Sequence, residues 1–153
     1  MVAMRILLFV VLTFSMYNQT ASCQREPCSE GEAVKAENEA ETLRSWDALY
    51  QSYRRFSKCD DGAIAEGYSE SVARILVDHW GTLPRLGVLA SSNMRFQKFV
   101  VRHVDGTLNR SDVKKITTNT IHHCPTAQSH LCKQLQIAAA EVMNESATIH
   151  KDE

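Results

Sequence analysis

Apolar residues recur along most of the chain at intervals of three and four, which is the spacing of a helix with one buried face. The two clearest stripes run from Leu43 to Phe56 and from Ile64 to Trp80. Shorter stripes follow in residues 86–89, 96–104, 113–121 and 131–142. No segment alternates apolar and polar residues for long enough to form a strand. The pattern predicts an all-α fold, a compact single-domain bundle of five to six helices.

Cap and turn residues divide these stripes. Ser29 with Glu32 matches a capping box, and Asp60-Asp61-Gly62 can end one helix and begin the next. Gly67 is small enough to let a second helix approach closely. Trp46 and Trp80 both lie on apolar stripes, so each is expected to anchor the core.

The first residues have the layout of a secretory signal peptide. One cation, Arg5, precedes an apolar run of about ten residues, too short to span a membrane, and small polar residues follow up to Cys23. We therefore expect residues 1–23 to be cleaved and the protein to be exported, periplasmic or extracellular. A lipid anchor on Cys23 is a less favoured alternative, because Gln19 and Thr20 stand where such signals carry aliphatic residues.

The rest of the chain divides into three parts by composition. Residues 24–42 form an acidic, partly exposed N-terminal segment, residues 43–143 the helical domain, and residues 144–153 a polar tail expected to be flexible. The sequence contains no stretch that predicts a stable transmembrane segment.

Four cysteines remain after cleavage, an even number that indicates disulfides in an exported chain. Cys124 and Cys132 are separated by a short loop with a proline turn, so we predict that they are bonded. A continuous helix from Ser29 to Phe56 would be about 42 Å long and would hold Cys28 and Cys59 too far apart for a disulfide. Either that helix is broken or these two cysteines are not paired, and the sequence leaves them unassigned.

Charge and motifs exclude several classes of function. Seventeen Lys and Arg residues against eighteen Asp and Glu leave a formal charge of −1, so no overall field attracts nucleic acid. The chain has neither a glycine-rich phosphate loop nor a nucleophile elbow. No cofactor is predicted.

Two surfaces could carry a function. Arg95, Lys98 and Arg102 recur on one helix face and are candidates for binding an anionic partner. The alternative is a carboxylate cluster of a small secreted hydrolase, of the kind that glycoside hydrolysis requires. Its candidate catalytic residues are Asp60, Asp61 and Glu66.

A histidine and cysteine cluster suggests zinc, but its spacing fits no known zinc signature. Its residues are His122, His123, Cys124, His130 and Cys132. Since an exported protein oxidises neighbouring thiols, the disulfide is preferred and no metal site is predicted.

In general plan the chain is similar to small periplasmic immunity proteins, which are exported, helical and disulfide-containing. The similarity covers size and class and includes no motif. It implies that the protein is not an enzyme and acts by binding a protein partner, as an inhibitor does.

Overall fold

A computed structural model describes residues 26–149, with side chains up to Glu145. These residues form seven α-helices and no strand. The helices are α1 Glu30–Ala40, α2 Trp46–Phe56, α3 Gly62–Asp78, α4 Leu83–Ser92, α5 Met94–Arg102, α6 Arg110–His122 and α7 Ser129–Ile149. The all-α prediction is confirmed, and the expected number of five to six helices is wrong because the first long helix is divided in two.

The predicted signal peptide, residues 1–23, and the cysteine considered for lipid attachment lie outside the described residues, as do residues 150–153. Among the helices of residues 26–149, none has the length and apolar character needed to cross a membrane.

The break between α1 and α2 is stabilised by a side chain from α3. The hydroxyl of Ser71 donates to the carbonyl of Ala40 and accepts from the backbone N–H of Leu43, at 3.1 Å. Ser45 then begins α2, and its hydroxyl accepts from the N–H of Ala48 at 3.2 Å. Because Ser71 pairs with backbone groups that a continuous helix would pair internally, the break depends on a tertiary contact.

The break lets α1 and α2 pack against each other and brings Cys28 to Cys59. The two residues form a disulfide with a Cα–Cα distance of 4.9 Å. Of the two alternatives that the sequence leaves open, the structure shows the first: the helix is broken and the two cysteines are paired. The second disulfide joins Cys124 and Cys132, the pair favoured by the sequence, with a Cα–Cα distance of 6.2 Å.

Helix α3 lies at the centre of the core and contacts both α1 and α6. Its Tyr68, Ile75 and Leu76 side chains are fully buried. At Gly67 an added Cβ would lie 3.0 Å from the Cβ of Ala40, closer than side chains normally pack. The predicted close helix approach at this glycine is thus confirmed, and α1 is the helix that approaches.

The two tryptophans differ in burial. Trp46 is 2% exposed and is among the largest buried side chains. Trp80 is only partly buried against the core, and its indole N–H donates to the carbonyl of His123 at 2.8 Å. The expectation that both tryptophans anchor the core therefore holds for Trp46 and is wrong for Trp80, which lies at the core's edge in a 3₁₀ turn.

Candidate functional site

Helix α5 presents the three predicted cations, Arg95, Lys98 and Arg102, on the protein surface. Asn93 begins this helix, and its side-chain oxygen accepts from the backbone N–H groups of Arg95 and Phe96, both at 3.1 Å. Phe96 is fully buried on the opposite face. The apolar spacing therefore fixes which side of α5 faces the core, and the cations occupy the other side.

Aromatic rings hold α5 against α2. The ring of Tyr53 lies 5.2 Å from that of Phe96 and 4.9 Å from that of Phe99. The ring of Tyr50 contacts Phe96 edge to face at 4.9 Å. Such pairs favour tilted and edge-on geometries, so they fix the distance and angle between the two helices.

A cleft of about 470 Å³ lies between α2 and α5. It is lined by Tyr53, Ser57, Lys58, Arg95, Lys98, Phe99 and Arg102. Four of these residues are cationic and two are aromatic, and we call this depression the basic cleft. Its fourth cation, Lys58, lies in the 3₁₀ turn Ser57–Cys59, which the Cys28–Cys59 disulfide ties to the start of α1.

Carboxylates compensate only half of the charge in the basic cleft. Lys58 pairs with Glu32 at 3.0 Å, and the guanidinium of Arg102 contacts the carboxylate of Asp60. Within residues 26–145, no carboxylate lies within 4 Å of the charged group of Arg95 or Lys98. Among the residues that the structure describes, two of the four positive charges of the cleft therefore have no carboxylate partner.

Beneath the cleft, Asp60 begins a buried polar network. Its side chain is 3% exposed, and its Oδ1 lies 3.2 Å from Nε2 of His103. His103 is 2% exposed, and its Nδ1 lies 3.0 Å from Oγ of Ser69, whose hydroxyl contacts Asp105 at 2.8 Å. The buried His103 ring thus has a polar atom close to each of its nitrogens, and buried polar side chains usually have such partners.

The pKa of Asp60 reflects opposing effects of this environment. Burial raises it, but contact with His103 and the positive charge of Arg102 outweigh burial, so the pKa lies below its usual value. Asp60 is therefore ionised at neutral pH and acts as the counter-charge that holds Arg102 at the edge of the cleft.

The series Asp60, His103 and Ser69 has the order of an acid, base and nucleophile, but its nucleophile is inaccessible. Ser69 is only 1% exposed and lies among packed helices. A nucleophilic hydroxyl must reach a substrate carbonyl, which this burial prevents. We therefore assign the network a structural role. It positions the carboxylate of Asp60, which in turn positions the guanidinium of Arg102.

The three alternative catalytic carboxylates face different parts of the molecule. Asp60 faces α5, whereas Asp61 begins α3 and accepts from the backbone N–H of Gly62 at 2.9 Å. Glu66 is exposed on α3 and lines a separate acidic groove with three other glutamates. These are Glu37, Glu41 and Glu70. The structure therefore brings neither Asp60 nor Asp61 to the surface occupied by Glu66.

The histidine-rich segment near the second disulfide has lost its strongest metal ligands. Cys124 and Cys132 are bonded to each other, so neither provides a thiolate. The rings of His122 and His123 have centroids 6.5 Å apart. Within the part of the chain that the structure describes, no group of three or more potential ligands is placed to hold a metal ion.

Sequence reasoning found the α5 cations but missed Lys58 and the aromatic walls of the basic cleft. Tyr53 and Phe99 lie on apolar stripes, where the same pattern also describes core residues. Lys58 follows α2 in a short turn without any motif. The sequence indicates the site only through the helical period of α5, because the cleft itself forms when α2 packs against α5.

No known family model matches the chain, and neither the curated proteins nor the solved structures include a significant match to it.

Proposed function

We propose that this chain is a small exported protein without catalytic activity that binds an acidic protein partner through the basic cleft, as inhibitors and immunity proteins do. The observation that carries this proposal is that Arg95 and Lys98 lie beside two aromatic rings with no carboxylate partner in residues 26–145. Cations on a rigid helix attract acidic side chains over a long range, and the partly buried ring of Tyr53 adds apolar contact area at the cleft.

Rigidity of the cleft supports a role in binding. Arg102 is held by Asp60 and lies 5.7 Å from the ring of Phe99, and Lys58 is held by Glu32. Cations that are ordered before binding lose less side-chain entropy when a partner arrives. Arg95 and Lys98 would then supply the charges that the acidic partner neutralises.

Export is part of the proposal, since the two disulfides require an oxidising environment to form and persist. The chain as a whole is slightly acidic, which disfavours nucleic acid as the partner.

Two charge-reversal variants with equal changes in net charge test this function. Arg95→Glu/Lys98→Glu alters the basic cleft, and Lys114→Glu/Lys115→Glu alters exposed positions of α6. The mature proteins would be purified from the exported fraction, where mass spectrometry should show loss of residues 1–22 or 1–23. Each would then be immobilised, and proteins retained from the same cells would be identified and their affinities measured.

We expect the first variant to lose at least about tenfold in affinity for a retained acidic protein, with most of the loss in the association rate at low salt. The α6 variant should bind like the wild type. Equal binding by both variants would contradict the proposed function.

A further inference from the structure

A second depression shares two cations with the basic cleft and lies on the other side of α5. It is a groove of about 300 Å³ between α5 and α7. Its lining includes Lys98, Val101, Arg102, Ile137, Ala138 and Glu141. The floor is aliphatic, and the side chain of Ile137 is 47% exposed there.

The lining residues of α7 extend over two helical turns. On α7, residues 137, 138 and 141 lie on one face and, with Gln134, span about 10 Å. The two helices are tied together by a hydrogen bond of 2.5 Å from the amide of Gln97 to that of Gln134. A groove between two packed helices accepts an amphipathic helix through apolar residues spaced i and i+4.

The two sides of the groove carry opposite charges. Lys98 and Arg102 stand on the α5 side, and Glu141 stands on the α7 side. Within residues 26–145, Glu141 has no cation within 4 Å. A ligand that complements this groove must place its carboxylates toward α5 and keep them away from α7.

We propose that this groove seats one amphipathic helix of the acidic partner, with its apolar face on Ile137 and its carboxylates on the flank that faces Lys98. The inference rests on the proposed function and names the element of the partner that is recognised. The charge of Lys98 would attract the helix, and the aliphatic floor together with Glu141 would select the rotation of the helix about its own axis.

Two synthetic peptides of identical composition provide the probe. Both contain leucine, glutamate and alanine. In one, the leucines recur at i and i+4 with glutamates along a single flank; in the other, the leucines are spread around the helix. Binding of the labelled peptides to the mature protein would be followed by fluorescence anisotropy. We expect the patterned peptide to bind at least about tenfold more tightly.

Matched variants test each side of the groove. Ile137→Ser should weaken binding of the patterned peptide about tenfold, whereas Ile121→Ser, at a residue of similar exposure on α6, should leave it unchanged. Glu141→Gln should strengthen binding by a few fold, because it removes repulsion of the glutamates. Glu66→Gln changes the net charge equally in the separate acidic groove and should have a smaller effect.

Equal binding of the two peptides, or equal effects of the two isoleucine variants, would overturn the inference.

Binding of the mature protein to phosphatidylglycerol vesicles is the third measurement. If the protein binds the vesicles through Ile137 and does not discriminate between the two peptides, the groove binds a membrane surface instead. If capture of the natural partner is lost in Arg95→Glu/Lys98→Glu but unaffected by Ile137→Ser, the groove inference fails alone. If the charge variant captures the partner normally, the proposed function fails.

Discussion

Trp46 and Trp80 occupy similar positions in the apolar pattern, and their burial decides what each contributes to stability. Trp46→Ala should lower the free energy of unfolding by about 3–5 kcal/mol, because it leaves a large cavity inside the core. Trp80→Ala should lower it by about 1–2 kcal/mol, since it removes partial burial and one hydrogen bond. Urea unfolding monitored by circular dichroism measures both variants, because each retains the helical signal.

A loss of 3 kcal/mol or more in Trp80→Ala would show that this residue closes the core as the sequence pattern suggested. The two tryptophans can be distinguished only by tertiary structure, since Trp80 lies beyond the end of α3 in a turn whose partner, the carbonyl of His123, is far away in the sequence.

Among the elements, α1 is held to the rest of the molecule by a covalent link at its N-terminal end. The Cys28–Cys59 disulfide closes a loop of 31 residues, whereas Cys124–Cys132 closes one of eight. Loss of chain entropy in the unfolded state predicts a contribution of about 3.7 kcal/mol for the first and about 2.5 kcal/mol for the second. Replacing Cys28 and Cys59 with serine should therefore destabilise the protein more than replacing the other pair.

Denaturant unfolding of the two double variants measures this difference, and non-reducing peptide mapping of the wild type shows both pairings directly. A larger effect at Cys124 and Cys132 would contradict the entropic argument. Because Lys58 directly precedes Cys59, the first variant should also weaken partner binding, and the second should not.

Helical periodicity predicted most elements of this fold because each helix buries one face. It missed the division of α1 from α2, because Ser71 makes that break from α3 through hydrogen bonds that no local pattern encodes. The pairing of Cys28 with Cys59 was left open for the same reason. In the candidate site, the helical period of α5 was sufficient to predict Arg95 and Lys98. Lys58 could not be predicted, because it lies in a turn after α2 and reaches the cleft only when α2 packs against α5.

Across the whole molecule, charge is separated although its sum is almost zero. The basic cleft lies between α2 and α5, and the acidic groove of Glu66 lies between α1 and α3. A charge distribution of this kind can orient an approaching partner even when the net charge does not attract it.

Several carboxylates form hydrogen bonds or ion pairs in the folded state that lower their pKa values, so the stability of the whole molecule depends on pH. Hydrogen bonds from Ser29 and then Lys58 lower the pKa of Glu32 to about 2. A hydrogen bond from Arg85 lowers the pKa of Asp47 below its usual value. Together with Asp60, these residues release protons more readily in the folded protein than in the unfolded chain.

Acid should therefore destabilise the protein. A carboxylate whose pKa is lower in the folded state contributes its full stabilisation above its unfolded pKa, near 4, and loses it as the pH falls toward the folded value. We expect the free energy of unfolding to decrease from about pH 5 to about pH 2.

Asp60→Asn should lower the free energy of unfolding by about 1–3 kcal/mol at pH 7. This loss is smaller than for a fully buried ion pair because Arg102 stays hydrated. The variant should also have a smaller decrease in stability between about pH 5 and about pH 2. Glu66→Gln, at an exposed carboxylate without an ion pair in the described chain, should keep the wild-type slope. Urea unfolding of the three proteins at several pH values provides the measurement, and an unchanged slope in Asp60→Asn would show that the carboxylate beneath the basic cleft is not held ionised by His103 and Arg102.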